Sequence, residues 1–346
     1  MALAARVNAQ DQARSTEGAA VKPNAAESTE AGTLRAAAEK RGLLVGTAAG
    51  AEELKEEKYA ATLGREFNVL TPENALKWGP IHPKPGEWRF EGADKLVEFA
   101  EKHNMKVRGH TLVWHDQIPD YVKTLAADEF RKAVHEHIAT LVGRYKGRIY
   151  EWDVVNEALD EKGELRKTIF LEKMGKNYIA EVFRAAHEAD PNALLFYNEY
   201  GCEGLGEKSD GQFKMLKKLI EEKVPIHGVG LQMHISAKHP PKPEDVAANV
   251  RRLAALGLRV QITEMDVKVA DLPEKERATK QAEVYRKIIE ACEKEKGFEG
   301  VTFWGFTDKH SWLALEKGST EAPLLFDTEY RPKPAYKAVR EALLAK

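Results

Sequence analysis

Short apolar runs alternate with amphipathic stretches from about residue 33 to the end of the chain. The runs that predict strands lie at 43–49, 68–74, 106–114, 149–157, 193–199, 228–234, 259–265 and 300–306. Apolar residues at helical spacing predict helices between them, most clearly at 93–103, 129–145, 276–295 and 335–345. This alternation, without a linker, predicts an α/β protein with a single (β/α)8 TIM barrel over residues 33–346.

A doubly wound open sheet is the alternative arrangement of the same elements. Its dinucleotide-binding form carries a G-x-G-x-x-G turn after the first strand, and none follows residues 43–49. The functional side chains favour the barrel, because they cluster at the carboxyl ends of the strand candidates, which meet at one face of a barrel. They are Glu73, Asn74, His110, His115, Asn156, Glu157, Asn198, Glu199, Gln232, His234, Glu264, Asp266 and Trp304.

The first 32 residues differ from the rest of the chain. They are rich in Ala, Glu, Ser, Thr, Asn and Gln and contain few large apolar side chains, so residues 1–32 are predicted to be a flexible, low-complexity extension. Val7, Asn8 and Ala9 are similar to the cleavage site of a secretory signal, although the charged start and the long apolar middle are missing. We therefore expect a secreted protein whose signal peptide is not intact in this chain.

Composition narrows the possible partners. With 43% hydrophobic and 31% charged residues, the chain can bury a large core. The net charge of −2, with Lys and Arg spread along the chain, argues against nucleic acid and against an anionic membrane surface. No apolar stretch approaches the ~18 residues of a membrane span. The two cysteines, Cys202 and Cys292, lie far apart and are expected to be buried free thiols.

Two glutamates stand at the ends of strand candidates that lie far apart in the chain. Glu157 ends the stretch YEWDVVNE, and Glu264 follows in QITEM. Burying an unpaired carboxylate is costly, so acids at these places call for a function. Two carboxyl groups on one face are the minimum for glycoside hydrolysis, in which one protonates the leaving oxygen and the other attacks the anomeric carbon or activates water.

The neighbours of these glutamates predict different roles. Trp114, Trp152 and nearby apolar side chains would leave Glu157 in a water-poor setting, which favours its protonated form. Glu264 is expected to lie with His234 at the face where the carboxyl ends of the strands meet, which we call the mouth of the barrel. Glu264 also stands two residues before Asp266, so a histidine can hold its ionised form. We therefore expect Glu157 to be the general acid/base and Glu264 the nucleophile.

The tryptophans suit a site for sugars, because the C–H faces of sugar rings stack on flat aromatic surfaces. Trp88 and Trp152 are predicted to pack in the core. The tryptophans expected to face the mouth are Trp78, Trp114, Trp304 and Trp312.

The histidines do not form a metal-binding pattern. His135 and His137 are two residues apart on a predicted helix, so their rings point apart. His110 and His115 would lie on opposite faces of a strand. Neither an HExxH motif nor the G-x-S-x-G motif of serine hydrolases occurs. We expect no metal and no cofactor.

Eight motifs occur in a fixed order along the chain: TPENALKW, GHTLVWH, WDVVNEA, FYNEYG, GLQMHI, ITEMDV, FWGFTDKHSWL and PLLFDTEYRPKPAY. Together they resemble the family 10 glycoside hydrolases, the endo-β-1,4-xylanases, from about residue 33 to the end. The resemblance implies an enzyme that acts on xylan and xylo-oligosaccharides, with retention through a covalent glycosyl-enzyme. We expect a monomer. A related retaining β-1,4-glycanase acting on glucan or mannan, and a catalytically inactive binding barrel, remain alternatives.

The resemblance also implies roles for individual residues. Glu157 would be the acid/base and Glu264 the nucleophile. His234 would bridge Glu264 and Asp266 and so support the nucleophile. The residues implied to bind the substrate are Glu73, Asn74, Lys77, His110, Trp114, Gln117, Asn156, Gln232, His234, Trp304 and Trp312.

Overall fold

The computed structural model describes residues 32–315 and 318–345. Its strands are β1 (Leu44–Ala49), β2 (Val69–Pro72), β3 (Lys106–Trp114), β4 (Glu151–Asn156), β5 (Leu194–Glu199), β6 (Gly228–Leu231), β7 (His234–Ser236), β8 (Arg259–Lys268) and β9 (Phe298–Phe303). All of them pair in parallel, from β1 round to β6 and then to β8 and β9. The pairings β6–β8 and β9–β1 close the ring, which confirms the predicted α/β barrel. The predicted extension at 1–32 lies, except for its last residue, outside the described residues.

Helices surround this ring. They are α1 (Leu34–Glu39), α2 (Glu57–Glu66), α3 (Trp78–Ile81), α4 (Glu91–Lys102), α5 (Asp120–Lys123), α6 (Ala127–Arg144), α7 (Ile169–Met174), α8 (Tyr178–Ala189), α9 (Glu207–Glu221), α10 (Pro243–Ala254), α11 (Glu274–Cys292) and α12 (Pro334–Leu344). Helices α4, α6, α11 and α12 confirm the four that apolar spacing predicts most clearly. None of the helices in residues 32–315 and 318–345 is long and apolar enough to cross a bilayer.

The strands are buried on both faces, as expected for a parallel sheet enclosed by helices. Every residue of β4 is buried. Arg108 of β3 is only 1% exposed, so the buried part of the barrel also contains a charged group. Its Nη1 donates to Glu151 Oε1 at 3.0 Å and its Nε to Asp153 Oδ2 at 3.0 Å, so the buried cation is paired with two carboxylates of β4.

The strand predicted at 228–234 is interrupted. β6 ends at Leu231, and Met233 takes a left-handed φ of +69° before β7 begins at His234. β7 then pairs with the outer part of β8, in a register that sets His234 opposite Asp266. β8 extends to Lys268, beyond the predicted end at residue 265, and places Glu264 and Asp266 on one face of the strand.

Candidate active site

Glu157 follows β4 directly and carries a carboxylate that three side chains hold. Trp114 Nε1 donates to its Oε2 at 2.9 Å. Gln232 Nε2 and Asn156 Nδ2 donate to its Oε1 at 3.0 and 3.2 Å. The residue is in the left-handed region, with φ of +58°, and its own N–H donates to the carbonyl of Asn198 at 3.0 Å. The carboxylate is thereby aimed into the mouth of the barrel.

The setting of Glu157 is more polar than predicted. Trp114 contacts it through its N–H, and His115 Nε2 lies 4.0 Å from its Oε2.

Trp152 is fully buried, as predicted, and its ring packs on the backbone of Gly109. A Cβ at Gly109 would lie 2.2 Å from Trp152 Cε3, so this close approach requires glycine.

Glu264 is buried near the end of β8, within reach of two donors. Asn198 Nδ2 donates to its Oε1 at 2.6 Å, and His234 Nε2 lies 3.2 Å from its Oε2. His234 Nδ1 lies 2.8 Å from Asp266 Oδ2. The imidazole therefore bridges two carboxylates, which is the arrangement that the family resemblance implies.

The charges in this bridge favour an ionised Glu264. Burial lowers the pKa of His234, but the adjacent Asp266 and Glu264 outweigh it and raise that pKa to about 10, so the ring is an imidazolium at neutral pH. Burial raises the pKa of Glu264, whereas the hydrogen bond from His234 lowers it, and the net direction is downward. A carboxylate held ionised in this way can act as a nucleophile.

A chain of amides joins the two glutamates. Gln232 Nε2 donates to Glu157 and also to Asn156 Oδ1, at 3.1 Å. Asn198 Nδ2 donates to the same Asn156 oxygen at 2.9 Å and to Glu264. Asn198 is expected from the sequence at the strand-end face, but no role in the site is predicted for it, and its strand-end position is the signal that could have identified it.

The loop after β2 brings a buried cation to the mouth. Lys77 Nζ donates to Asn74 Oδ1 at 2.9 Å and lies 5.0 and 5.7 Å from the ring centroids of Trp114 and Trp304. Burial lowers the pKa of Lys77, and the nearby carboxylates oppose this effect. Glu73 is half-buried beside this loop, and burial raises its pKa. The structure thus brings Glu73, Asn74 and Lys77 together, as the sequence predicts.

The two tryptophans after β9 border the other side of the mouth. Trp304 is 8% exposed, and its ring meets the edge of His110 at 5.2 Å between centroids. Trp312 is 43% exposed, and its Nε1 donates to Asp266 Oδ2 at 2.9 Å. Both lie beside His234, whose ring is 6.2 and 5.4 Å from theirs. Trp304 and Trp312 therefore offer flat apolar faces next to hydrogen-bonding groups, a combination that suits the binding of a sugar ring.

Two further predicted site residues, His110 and Gln117, precede and follow Trp114, the last residue of β3. His110 is buried, with Nδ1 3.0 Å from Asp153 Oδ2. Gln117 is exposed, with a left-handed φ of +48°, and its carbonyl accepts the N–H of Gly79 at 2.7 Å. That bond ties the loop after β3 to helix α3, next to the Lys77 loop.

The prediction that Trp78 faces the mouth is wrong. Its side chain is 4% exposed and stacks on His137 at 4.4 Å between ring centroids. Phe130 and Phe170 lie 6.5 and 6.3 Å away. Trp78 is the first residue of α3, and its large apolar ring is removed from water against α6 and α7. Its place next to Lys77 in the sequence therefore does not bring it to the site.

Among residues 32–315 and 318–345, no three His, Cys, Asp or Glu side chains are grouped so that they could hold a metal ion. His135 Nε2 pairs with Glu181 Oε1 at 2.7 Å, whereas His137 is fully buried.

A closed parallel barrel that gathers two glutamates, a bridging histidine and sugar-sized aromatic faces at the carboxyl ends of its strands defines a glycoside hydrolase. The family model described as Glycosyl hydrolase family 10 matches residues 33–342, and the chain belongs to this family.

Named relatives agree with that assignment. Endo-1,4-beta-xylanase B of Thermotoga neapolitana is 43% identical over 320 residues, which cover 90% of this chain and 91% of that protein. Beta-1,4-xylanase of Dictyoglomus thermophilum is 42% identical over 292 residues, which cover 80% and 82%. The solved structure of xylanase 10B from Thermotoga petrophila RKU-1 in complex with xylobiose superposes with a TM-score of 0.87, at 42% identity, over 90% of this chain and 97% of that one.

Proposed function

We propose that this chain is an endo-β-1,4-xylanase that hydrolyses internal bonds of xylan and xylo-oligosaccharides with retention of anomeric configuration. The observation that carries the proposal is the contrast between the two glutamates. His234 holds Glu264 ionised, while Glu157 is presented at the mouth by Trp114 and Gln232. The names of the relatives and the xylobiose complex of the Thermotoga petrophila enzyme support xylan as the substrate.

In the first step Glu264 attacks the anomeric carbon, and the bond to the leaving oxygen breaks as Glu157 transfers its proton to that oxygen. The product is an ester between the sugar and Glu264. In the second step Glu157 removes a proton from water, which attacks the same carbon and releases Glu264 as a carboxylate. Two displacements at one carbon retain its configuration.

Other residues of the site suit the binding of sugar hydroxyls and faces. Asn156 lies between the two glutamates in the amide chain and can donate to a hydroxyl of the sugar at the scissile bond. Lys77 and Asn74 offer charged and amide groups further along the mouth. Trp304 and Trp312 supply apolar faces beside His234.

A glucan is the second candidate substrate, because a relative named Exoglucanase XynX, from Acetivibrio thermocellus, is 37% identical over 313 residues, which cover 86% of this chain and 28% of that protein. Comparing the reducing sugar released from xylan, carboxymethylcellulose and mannan distinguishes the candidates. Xylan should be cleaved at least about tenfold faster than either carboxymethylcellulose or mannan, a ratio that corresponds to a difference of about 1.4 kcal/mol in activation free energy.

The test of mechanism uses one variant at each glutamate. Glu264→Ala should abolish turnover of an aryl β-xylobioside, and added azide should restore it with an inverted azide product. In Glu157→Ala, azide should attack the glycosyl-enzyme and give a product of retained configuration. NMR of the fresh products reads both outcomes, and an inverted sugar from the unmodified enzyme would overturn the retaining mechanism.

Secretion and a monomeric state, which the sequence predicts, are part of this proposal. Size-exclusion chromatography with light scattering tests the monomer, and recovery of the enzyme from the culture medium of its source tests secretion.

A further inference from the structure

The backbone that carries Glu157 is held in an uncommon conformation. A φ of +58° lies in the left-handed region, which a glutamate rarely adopts and which costs about 1–2 kcal/mol. Such a conformation persists only when its surroundings secure it. Glu157 begins the segment 157–159, and the contacts of this segment show how it is secured.

Arg166 binds all three carbonyls of the segment. Its Nε donates to the carbonyl of Glu157 at 3.1 Å and its Nη2 to that of Leu159 at 2.7 Å. The backbone N–H of Arg166 donates to the carbonyl of Ala158 at 2.8 Å. A guanidinium presents its donors in a rigid plane, so it fixes these carbonyls relative to one another. The same Nη2 also donates to Tyr200 Oη at 2.8 Å.

Glu199, at the end of β5, holds the segment from the other side. Its side chain is fully buried, and its Oε2 accepts the N–H of Leu159 at 3.1 Å. The hydroxyl of Tyr197 donates to the same oxygen at 2.5 Å, and Lys208 Nζ lies 3.3 Å from Oε1. A buried carboxylate with these partners cannot move without leaving a cation or a donor unpaired.

We propose that Arg166 and Glu199 are positioning residues that hold the acid/base Glu157 at the leaving oxygen by fastening the backbone of residues 157–159. This inference rests on the proposed function of Glu157. The contacts of Arg166 and Glu199 run to carbonyls and an N–H of the segment, so their effect on the carboxyl group passes through the main chain. Loss of either should misplace the proton donor and leave the Glu264–His234 pair intact.

The expected effect depends on the leaving group. A phenol needs a proton from Glu157 as its bond breaks, whereas 2,4-dinitrophenol leaves readily without one. A misplacement of about 1 Å can cost about 100-fold in rate. We therefore expect Arg166→Ala to lower kcat/KM for phenyl β-xylobioside by about 10- to 100-fold and for the dinitrophenyl substrate by less than about threefold. The ratio kcat/KM is used because it reports the first step alone.

Arg277 of helix α11 provides a matched control, because it binds carbonyls of a different loop, the one after β8. Its Nε and Nη2 donate to the carbonyls of Leu272 and Ala270 at 3.0 and 2.9 Å, a similar fork that is not connected to Glu157. Arg277→Ala should change kcat/KM equally for both substrates. At the second positioning residue, Glu199→Gln keeps an oxygen for the N–H of Leu159 and should retain most activity, whereas Glu199→Ala should show the selective loss. Circular dichroism melting establishes which variants are folded.

Equal losses of kcat/KM on both substrates in folded Arg166→Ala and Glu199→Ala, or no loss on either, would overturn the inference. Arg166→Lys, which cannot form the planar fork, gives the same comparison if Arg166→Ala does not fold. A Glu157→Gln reference separates this inference from the function on which it rests. If Glu157→Gln itself lacks the selective loss, the role of Glu157 fails; if it shows the loss and Arg166→Ala does not, only the positioning inference fails.

Discussion

Replacing His234 with asparagine tests how the charge of this histidine prepares Glu264. Asn keeps a hydrogen-bonding side chain but cannot carry the positive charge that bridges Glu264 and Asp266. The rise in the pKa of His234 from 6.5 to about 10 corresponds to about 5 kcal/mol of interaction between its proton and the surroundings. Asp266, at 2.8 Å, takes the larger part, and Glu264, at 3.2 Å, the smaller.

Burial raises the pKa of Glu264 and the hydrogen bond from His234 lowers it, so removing the positive charge should raise that pKa. In the proposed mechanism Glu264 must be ionised to attack, so activity should be lost as the pH falls through its pKa. In His234→Asn that loss should begin at a higher pH than in the unmodified enzyme. The assay is kcat/KM for an aryl β-xylobioside as a function of pH, since this ratio follows the free enzyme.

The variant also leaves Asp266 buried without its partner cation, so the double variant His234→Asn/Asp266→Asn is the matched control. The double variant should recover stability. As the pH falls, it should still lose activity at a higher pH than the unmodified enzyme does. The raised pKa of His234 contributes stability that is present below pH 6.5 and is lost as the pH rises toward about 10, so both variants should show a flatter alkaline unfolding profile. If kcat/KM of His234→Asn is lower at every pH but falls at the same acidic pH as in the unmodified enzyme, the electrostatic role of His234 is refuted.

Two further predictions concern buried charge. Arg108→Met removes the cation that pairs with Asp153 and Glu151 in the barrel and should lower the free energy of unfolding by about 3–5 kcal/mol in urea titration; a loss below about 1 kcal/mol would contradict the pairing. Burial, with the charge of His82 in addition, lowers the pKa of His137 to about 3. Stability is therefore present above pH 6.5 and lost as the pH falls toward 3, by up to about 1.4 kcal/mol per pH unit. His137→Phe keeps the ring and should flatten this slope in acid unfolding; an unchanged slope would show that other groups cause it.

Much of the fold was predictable because each strand and helix is specified by nearby residues. The alternation of apolar runs and amphipathic stretches locates all eight barrel strands and the helices α4, α6, α11 and α12. Parallel strands in a barrel bring their carboxyl ends to one face, so the convergence of Glu157 and Glu264 follows from their positions in the strand pattern. The bridge from His234 to Asp266 was expected from the resemblance to family 10 glycoside hydrolases.

The tertiary structure decided which side chains actually meet. Asn198 joins Asn156 to Glu264 only because the strands close in one register, and Arg166 reaches the carbonyl of Glu157 only because the loop after β4 folds back. Trp78 is buried beneath the neighbouring helices, although its sequence context resembles that of a mouth residue. The helices, the strands and the face that carries the site can be predicted from local patterns in the sequence, because hydrophobic periodicity depends on neighbouring residues. Hydrogen-bond partners and burial depend on register, loop path and packing between distant segments, which only the closed barrel determines.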